Sequence, residues 1–391
     1  MSEFDMPARI KRLRLPPGRR IIAVSDIHGN LPYLKGLLEK IRFDADDILI
    51  IDGDFLEKGP DSLGTLRYIM QLSEAGNVYT VCGNCDGWDD IFRMPPEADE
   101  HLLHYMMHKK CGLLWEMCNA AGIDPFELEG LAECKKQLFN SFTEEWKFIS
   151  RLPHAIETKN YVFAHAAMRD DKPLSAHTAG ELMRCDAFMN TGRSFEKWVI
   201  VGHWPVVLYG TDRVCANPIV DREHHIVSID GGCVLKDDGQ LNALIIPWDG
   251  SDSFGYVYYD PFPVRRVLRD QAEGGRSYYI RWGDSRVQVL ERGEEFSRCR
   301  HVRTGYEMDI LTKYLFSDGE FTDCNDCTDY VPPLKRGDLV SVVETTSRGY
   351  FIKKDGLSGW YFGELECVSF LNFCQCPRRT WRAAAGGGTG F

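Results

Sequence analysis

Short apolar runs alternate with helically spaced apolar positions over the first 250 residues of the chain. Two segments, Leu31–Ile41 and Leu63–Ala75, have helical spacing. The short runs are rich in β-branched side chains, and they are Ile21–Ser25, Ile48–Ile51, Val78–Cys82, Tyr161–Ala164, Trp198–Val201, Ile226–Ile229 and Leu241–Ile246. Since strands that alternate with helices are typical of α/β proteins, this pattern predicts an α/β domain over residues 20–250.

Three other parts of the chain do not fit the strand–helix alternation. Residues 1–19 are polar and then basic, and we interpret them as a lead-in to the domain. Residues 88–150 are charged and rich in His and Met, with no strand pattern, which predicts a helical insertion. Residues 251–330 contain alternating apolar runs between Gly-Asp and Arg-Gly turns, so we expect a β-rich connecting region.

The pattern after residue 330 predicts a small all-β domain. Leu334–Val340 and Gly349–Tyr361, which ends in Gly-Trp-Tyr, resemble bacterial SH3-like domains, and we place such a domain at 331–377. The resemblance implies a peptide or cell-wall ligand, or packing against a neighbouring domain. Tyr350, Trp360 and Tyr361 would form either an aromatic groove or part of the core. Residues 378–391, rich in Ala and Gly, are expected to be a flexible tail.

Composition restricts the classes of protein to which the chain can belong. The 391 residues exceed the usual size of one core, and 44% of them are hydrophobic, which fits a globular protein. The net charge of −12 disfavours non-specific binding to nucleic acid. No apolar run approaches the length of a membrane span, and the polar N-terminus predicts no secretory signal. We therefore interpret most of the fourteen cysteines as reduced thiols of a cytoplasmic protein.

Polar side chains follow five of the apolar runs at the point where each run ends. These groups are Asp26–Asn30, Asp52–Asp54, Gly83–Asp86, His165 and Gly202–Trp204. Ligands collect outside the carboxyl ends of strands in open α/β sheets, so the five groups are expected to converge. Their carboxylate, imidazole and carboxamide groups suit manganese, iron or zinc.

The order Asp-x-His, Gly-Asp, Gly-Asn-x-Asp, His, Gly-His resembles the calcineurin-like metallophosphoesterase family. The similarity is strongest to its phosphoprotein-phosphatase and diadenosine-tetraphosphatase branch, through Gly53–Ser62 and Ser228–Val234. The resemblance implies a four-layer α/β/β/α sandwich with a site for two metal ions. It also implies that manganese occupies the site, with iron (Fe2+ or Fe3+) or zinc as alternatives.

The resemblance assigns a role to each strand-end residue. Asp26, His28 and Asp54 would hold one ion, and Asp54 would bridge to the second. Asn84, His165 and His203 would complete the second site. Two divalent ions can bridge a hydroxide and orient a phosphate for attack by that hydroxide, so the sequence predicts a metal-dependent phosphoesterase.

The chain departs from the family pattern at the positions expected to contact substrate. Cys85 stands where that branch has a histidine that acts as general acid, and a thiol is a poorer acid at neutral pH. Glu57-Lys58 replaces Asp-Arg, so Lys58 keeps the charge without the bidentate geometry. Arg184 is a second candidate for binding phosphate. The candidate catalytic residues are Asp54, Asn84, Cys85, Asp86 and Lys58.

Several functions remain open at this point. The leading one is hydrolysis of a phosphate ester as in phosphoprotein phosphatases, on a protein, nucleotide or small ester. The alternative is a phosphodiesterase, which Cys85 favours, or a hydrolase of dinucleoside polyphosphates. A second alternative is a non-catalytic binding protein that acts through the SH3-like region.

Two further clusters suggest metal sites, each with a simpler explanation. His101, His104 and His108 share one helix face, which we interpret as a protein surface rather than a chelating site. Cys324–Cys327 and Cys374–Cys376 could provide four thiolates for zinc. The one-residue spacing of the second pair favours surface thiols or a redox pair.

Overall fold

The computed structural model describes residues 6–87, 106, 109–124, 131–318 and 321–366. The chain divides into two compact units. The first comprises Met1–Tyr209 and Ala216–Pro261, and the second Gly210–Cys215 and Phe262–Phe391. The predicted histidine face (His101, His104, His108), the second cysteine pair (Cys374, Cys376) and the tail 378–391 lie outside the described residues.

The first unit contains two mixed sheets. One has the spatial order β12 (Gly255–Tyr259), β11 (Leu241–Ile246), β2 (Ile21–Val24), β3 (Ile48–Asp52), β4 (Val78–Val81). The other has the order β1 (Ile10–Arg12), β5 (Ala155–Glu157), β6 (Tyr161–Phe163), β7 (Trp198–Val201), β10 (Ile226–Ser228), β9 (Ile219–Asp221). The strands β2, β3 and β4 are parallel neighbours in the first sheet, as are β6, β7 and β10 in the second.

The predicted lead-in is not wholly irregular. Strand β1 pairs in parallel with β5, with Ile10 opposite Ala155, so part of the lead-in is an edge strand of the domain. No apolar pattern indicates this strand, because it is three residues long and only its first residue is apolar.

Alternation of side chains along the strands places the two sheets face to face. Ile21 and Ala23 of β2 join a core that also holds Tyr161 and Phe163 of the other sheet, whereas Ile22 of β2 faces away from that core. The outer face of the first sheet packs on α1 (Leu31–Lys40) and α2 (Ser62–Ser73). The outer face of the second sheet packs on α6 (Ala179–Met183) through Leu182. The four-layer α/β/β/α prediction is confirmed.

The described part of the segment 88–150 is helical. It forms α3 (Leu113–Ala121), α4 (Leu131–Ser141) and α5 (Thr143–Ile149). Their apolar faces, including Met117, Leu138 and Trp146, extend the outer core beside α2. No described helix has the length and apolar character needed to cross a membrane.

The second unit contains two five-stranded antiparallel sheets with separate cores. One has the order β13 (Val264–Arg266), β21 (Leu339–Thr345), β22 (Tyr350–Lys354), β23 (Leu357–Tyr361), β8 (Val214–Cys215). The other has the order β17 (Glu307–Leu311), β16 (Phe296–His301), β15 (Arg286–Glu291), β19 (Phe321–Cys324), β18 (Leu315–Asp318). A short pair joins β14 (Tyr279–Ile280) to β20 (Cys327–Thr328).

The sheet formed by the predicted SH3-like segment extends beyond that segment. Its two outer strands, β13 and β8, come from residues well before 331. Tyr361 is completely buried in its core, whereas Trp360 is partly exposed and donates its indole N–H to the Thr328 carbonyl at 2.8 Å. The thiols of Cys324 and Cys327 lie 4.0 Å apart. The groups of three metal-ligating side chains found among the described residues do not include them.

A partly buried ion pair fixes the turn before β3 to the start of β2. The Arg20 guanidinium donates to both Asp47 oxygens at 2.7 and 2.6 Å, and the Asp44 N–H donates to Asp47 at 3.1 Å. Burial opposes ionisation of Asp47, but these donors outweigh it and lower the pKa of its carboxyl group. Because the folded-state pKa is depressed, the pair stabilises the protein above the unfolded-state pKa of about 4 and loses this effect at lower pH.

We expect Asp47→Asn to lower the free energy of unfolding by about 1–2 kcal/mol at pH 7, since charged hydrogen bonds become neutral. Urea unfolding at pH 7 and at successively lower pH measures the effect. The difference from wild type should shrink as the pH falls below about 4. Asp46→Asn, on the same turn, is the control and should change little. A difference that persists unchanged at the lowest pH would contradict the ion-pair explanation.

Candidate metal centre

The strand-end residues of both sheets converge on one place. Asp26 and His28 follow β2, Asp54 follows β3, and His165 follows β6 of the facing sheet. The Nε2 atom of His165 lies 3.3 Å from Asp54 Oδ1, which joins the two sheets. The backbone N–H of His203, after β7, donates to Asp26 Oδ2 at 2.9 Å and makes a second connection. Segments after four different strands therefore meet at one site, as the sequence pattern predicts.

Four of the predicted metal ligands have left-handed backbone conformations. The φ angles are 54° at Asp26, 50° at His28, 50° at Asp54 and 64° at His203. Non-glycine residues seldom adopt positive φ, and such strain persists only where the surrounding structure enforces it. The turn that each residue makes directs its side chain away from the strand and into the site.

Asp54 belongs to two clusters of potential metal ligands. One comprises His28, Asp54 and Cys85, and the other Asp54, His165 and His203. In each cluster the ligand atoms lie within 4.8 Å of one another. The Asp54 carboxylate is almost fully buried and also accepts the Cys85 backbone N–H at 2.7 Å. The shared carboxylate has the position expected of a ligand that bridges two ions.

Backbone carbonyls fix the tautomers of two histidines. His28 Nδ1 lies 3.2 Å from the Leu56 carbonyl, and His165 Nδ1 lies 2.9 Å from the Asp52 carbonyl. A carbonyl only accepts hydrogen bonds, so Nδ1 must carry the proton in both rings. In the neutral rings, Nε2 then presents its lone pair toward Asp54, which is the arrangement that metal-binding histidines need.

Buried polar atoms without hydrogen bonds provide a test of whether a cation fits. Asp26 Oδ1 and His28 Nε2 are buried, lie 3.8 Å apart, and make no hydrogen bond with any described residue. Burial, together with the nearby Asp230 and Asp54, raises the pKa of Asp26 well above its usual range. An uncompensated buried carboxylate is costly, and a divalent ion would remove that cost. The residues present fit a metal ion.

The electrostatics of the three histidines support the same conclusion. Burial lowers the pKa of His28 to about 3, with Lys58 adding to the effect, and burial beside His165 lowers that of His203 to about 3. Both rings are therefore neutral, as ligation requires. Burial also opposes protonation of His165, but Asp54 and Asp26 outweigh it and raise the pKa of His165 to about 10. A proton there provides the positive charge that a metal ion can replace.

Two cationic side chains and a thiol border the ligands. Lys58 is exposed at the surface of the site. Desolvation of its ammonium group disfavours the charge, but the nearby carboxylates of Asp54 and Asp26 outweigh this effect and raise the pKa of the ammonium group. Burial lowers the pKa of Arg184, which also interacts with Cys85 and Asp54. Burial and Asp54 raise the pKa of the Cys85 thiol well above its usual value, so it is neutral. The structure therefore brings Lys58, Arg184 and Cys85 to the site.

Asp86 has a different environment from the other candidate catalytic residues. Its carboxylate accepts the backbone N–H groups of Phe55 and Leu56 at 3.1 Å each and that of Gly83 at 2.9 Å. These bonds join the loop after β3 to the loop after β4. Asp86 is fully buried, and we expect it to hold Asp54 and Asn84 in position rather than to contact substrate.

Two carboxylates at the site were not among the sequence candidates. Asp230 is fully buried, and its negative charge helps to raise the pKa of Asp26. One of its carboxylate oxygens has no hydrogen-bond partner among the described residues. The Ile-Asp-Gly-Gly strand end carried the signal for it. Asp52 is also buried, with both oxygens lacking such a bond, and burial raises its pKa to about 7. In the sequence, Asp52 belongs to the polar group that follows Ile48–Ile51, but the family resemblance assigns it no role.

Comparison with known proteins identifies the fold and some relatives. The model of the calcineurin-like phosphoesterase family matches residues 19–216, which is about half of the chain. The symmetrical bis(5'-nucleosyl)-tetraphosphatase of Mannheimia succiniciproducens is 26% identical over 280 residues, which cover 59% of this chain and 94% of that protein. The enzyme of the same name from Thioalkalivibrio sulfidiphilus is 48% identical over 67 residues, 17% of this chain. The chain spans only about a quarter (24%) of the length of that relative.

Two solved phosphoesterase structures match the chain at low sequence identity. A protein serine/threonine phosphatase from Saccharomyces cerevisiae is 11% identical, with a TM-score of 0.40, covering 67% of this chain and 86% of that one. A metallophosphoesterase from Sphaerobacter thermophilus is 15% identical, with a TM-score of 0.37, covering 62% of this chain and 89% of that one.

We expect Asp86→Ala to lower the free energy of unfolding by about 3 kcal/mol, because three buried N–H groups would lose their acceptor. Urea unfolding at pH 7 measures the loss. Asp86→Asn is the matched control: it keeps one acceptor oxygen and should cost less than the alanine variant. Equal stability of wild type and Asp86→Ala would show that these amides do not depend on the carboxylate.

Proposed function

The chain belongs to the calcineurin-like phosphoesterase family, and from this premise we propose that it is a two-metal hydrolase of dinucleoside polyphosphates. Membership makes it a hydrolase that acts on phosphate esters. The proposal goes further, to two ions, with manganese preferred, and to cleavage of a phosphoanhydride bond. The observation that carries it is the sharing of Asp54 by two ligand clusters, each within 4.8 Å.

The proximity of His28, His165 and His203 to Asp54 supports the ligand set that we propose. Asp26, His28 and Asp54 would hold one ion, and Asp54, Asn84, His165 and His203 the other. When bound, such ions supply positive charge for phosphate oxygens and lower the pKa of a water molecule. The protein would keep the carboxylates and imidazoles oriented by the backbone bonds to Leu56, Asp52 and His203.

Lys58 and Arg184 provide the charge that a chain of phosphates needs. Both lie close enough to Asp54 and Cys85 for their charges to interact. Hydrolysis of phosphates depends mainly on positioning and on neutralising oxygen charge. We propose that Lys58 contacts the phosphate under attack and that Arg184 contacts a neighbouring phosphate.

Cys85 favours an anhydride over a phosphoprotein as substrate. A serine alkoxide is a poor leaving group and needs a proton from a general acid, whereas a nucleotide phosphate leaves readily as an anion. A thiol of usual pKa is a weaker acid than imidazolium, so Cys85 is poorly suited to donate that proton. The curated relatives named above are tetraphosphatases, which supports the same class of substrate.

The direct test compares substrates on manganese-loaded protein. We expect a higher kcat/KM for diadenosine tetraphosphate than for p-nitrophenyl phosphate, its bis-ester or a phosphoserine peptide. Asp54→Asn should retain the fold by circular dichroism and lose turnover of every substrate. A higher kcat/KM for the phosphoserine peptide would favour the phosphatase alternative, and a preference for the bis-ester would favour the phosphodiesterase.

A second test replaces Cys85 with histidine, the general acid of the related phosphatases. We expect Cys85→His to raise kcat for the phosphoserine peptide by roughly tenfold or more, since general acid catalysis typically contributes at least that much. The rate with diadenosine tetraphosphate should change much less, because its leaving group does not need the proton. Cys85→Ser is the control and should improve neither rate. Equal changes for both substrates in the histidine variant would contradict the leaving-group argument.

A further inference from the structure

Two glutamates connect α3 (Leu113–Ala121) to the loop that carries Lys58 and to the start of α2. Glu57 belongs to the loop before α2, and its carboxylate accepts the backbone N–H of Leu113, the first residue of α3, at 2.7 Å. Glu57 is 5% exposed, so this is a buried contact. Gly112 has a φ of 95°, and a Cβ there would overlap the Glu57 carboxylate. The start of α3 is therefore shaped to receive Glu57.

The second glutamate makes the reciprocal contact. Glu116 lies in the first turn of α3, and its two oxygens accept the N–H groups of Ser62 at 3.0 Å and Leu63 at 2.7 Å. Ser62 and Leu63 form the start of α2. The first N–H groups of a helix have no partner within the helix, and a carboxylate there is favourable. The start of α3 thus binds the carboxylate of Glu57, from the loop before α2. The start of α2 binds the carboxylate of Glu116, from the first turn of α3.

The loop between these contacts holds an unfavourable conformation. Glu57 and Lys58 have φ angles of 64° and 67°, a conformation that costs energy for non-glycine residues. The Glu57 N–H also donates to Ser62 Oγ at 3.0 Å. Gly59, next to Lys58, packs so closely on the His28 carbonyl that a Cβ would overlap it. Such a conformation persists only if its surroundings enforce it, and the two glutamates are among those surroundings.

We propose that Glu57 and Glu116 are positioning residues that hold Lys58 where it can bind the phosphate of the substrate. In this way α3 contributes to phosphate affinity. Neither glutamate contacts the phosphate itself, because both carboxylates accept hydrogen bonds from backbone N–H groups. The inference rests on the proposed function for the identity of the substrate. The coupling between Glu116 and Lys58 does not depend on which phosphate compound is the substrate.

The test is a double-mutant cycle on metal-loaded protein with inorganic phosphate as the probe, by titration calorimetry. We expect Glu116→Ala to raise the Kd for phosphate by roughly fivefold and Lys58→Met by roughly tenfold, a range typical of one lost charged contact. In the Lys58→Met background, Glu116→Ala should have no further effect, because it acts through Lys58. Glu116→Gln keeps one acceptor oxygen and should recover part of the affinity.

The control uses a contact between α2 and another helix, α5. Glu145 of α5 accepts from Arg67 of α2 at 2.8 Å, away from the loop. Glu145→Ala removes an ion pair between these helices and should lower the Tm, while the Kd for phosphate stays unchanged. For diadenosine tetraphosphate, Glu116→Ala should raise KM and leave kcat within about twofold.

Two outcomes would overturn the inference. One is an equal loss of phosphate affinity from Glu116→Ala in the wild-type and Lys58→Met backgrounds. The other is a Kd for phosphate that neither variant changes. Because phosphate binding needs no turnover, failure of the protein to hydrolyse diadenosine tetraphosphate would contradict the proposed function alone and leave the cycle readable. Elemental analysis of each variant must show equal metal content.

Discussion

The carboxylate of Asp54 has to satisfy partners from both sheets of the first unit at once. It lies 3.3 Å from His165 Nε2 of the facing sheet, accepts the Cys85 backbone N–H at 2.7 Å, and lies 3.9 Å from His28 Nε2. Each partner arrives on a different loop, and those loops leave the ends of strands that pack face to face. The spacing of the two sheets, the left-handed strand ends and the buried bonds of Asp86 all act to keep these partners in reach of one carboxylate. A change in the packing of either sheet would therefore alter the distances at this residue first.

Much of the fold and of the site followed from the sequence because both depend on local patterns. Apolar runs such as Ile48–Ile51 became buried strands, and the polar residues after them met at the strand ends, as parallel pairing requires. The resemblance to a family added the four layers. The part of the lead-in that forms β1 could not be foreseen, because its pairing with β5 joins residues about 145 positions apart in the sequence.

The roles of individual residues were harder to predict than their presence at the site. Asp86 follows Cys85 in a catalytic motif, yet its oxygens are occupied by backbone N–H groups that no side-chain pattern could reveal. Glu57 looked like a substitute for an aspartate in a phosphate-binding loop, and its carboxylate instead meets the start of α3. Both outcomes depend on which backbone donors lie within hydrogen-bonding distance, a property of the packed structure. Residue types indicate the chemistry available, whereas the unsatisfied backbone groups nearby decide how it is used.

Strand β8 has a consequence for how the protein is made. Residues 210–215 belong to the second unit although the chain on both sides belongs to the first, and Cys215 pairs with Leu357 of β23. A ribosome releases the chain from its N-terminus, so β8 emerges some 140 residues before its partner. Until β23 follows, these residues cannot make their final sheet pairing, even if the first unit has already folded around its own core. The order of synthesis thus leaves the second unit to be completed after the first, and a nascent chain would carry an unpaired edge open to incorrect partners for most of that interval.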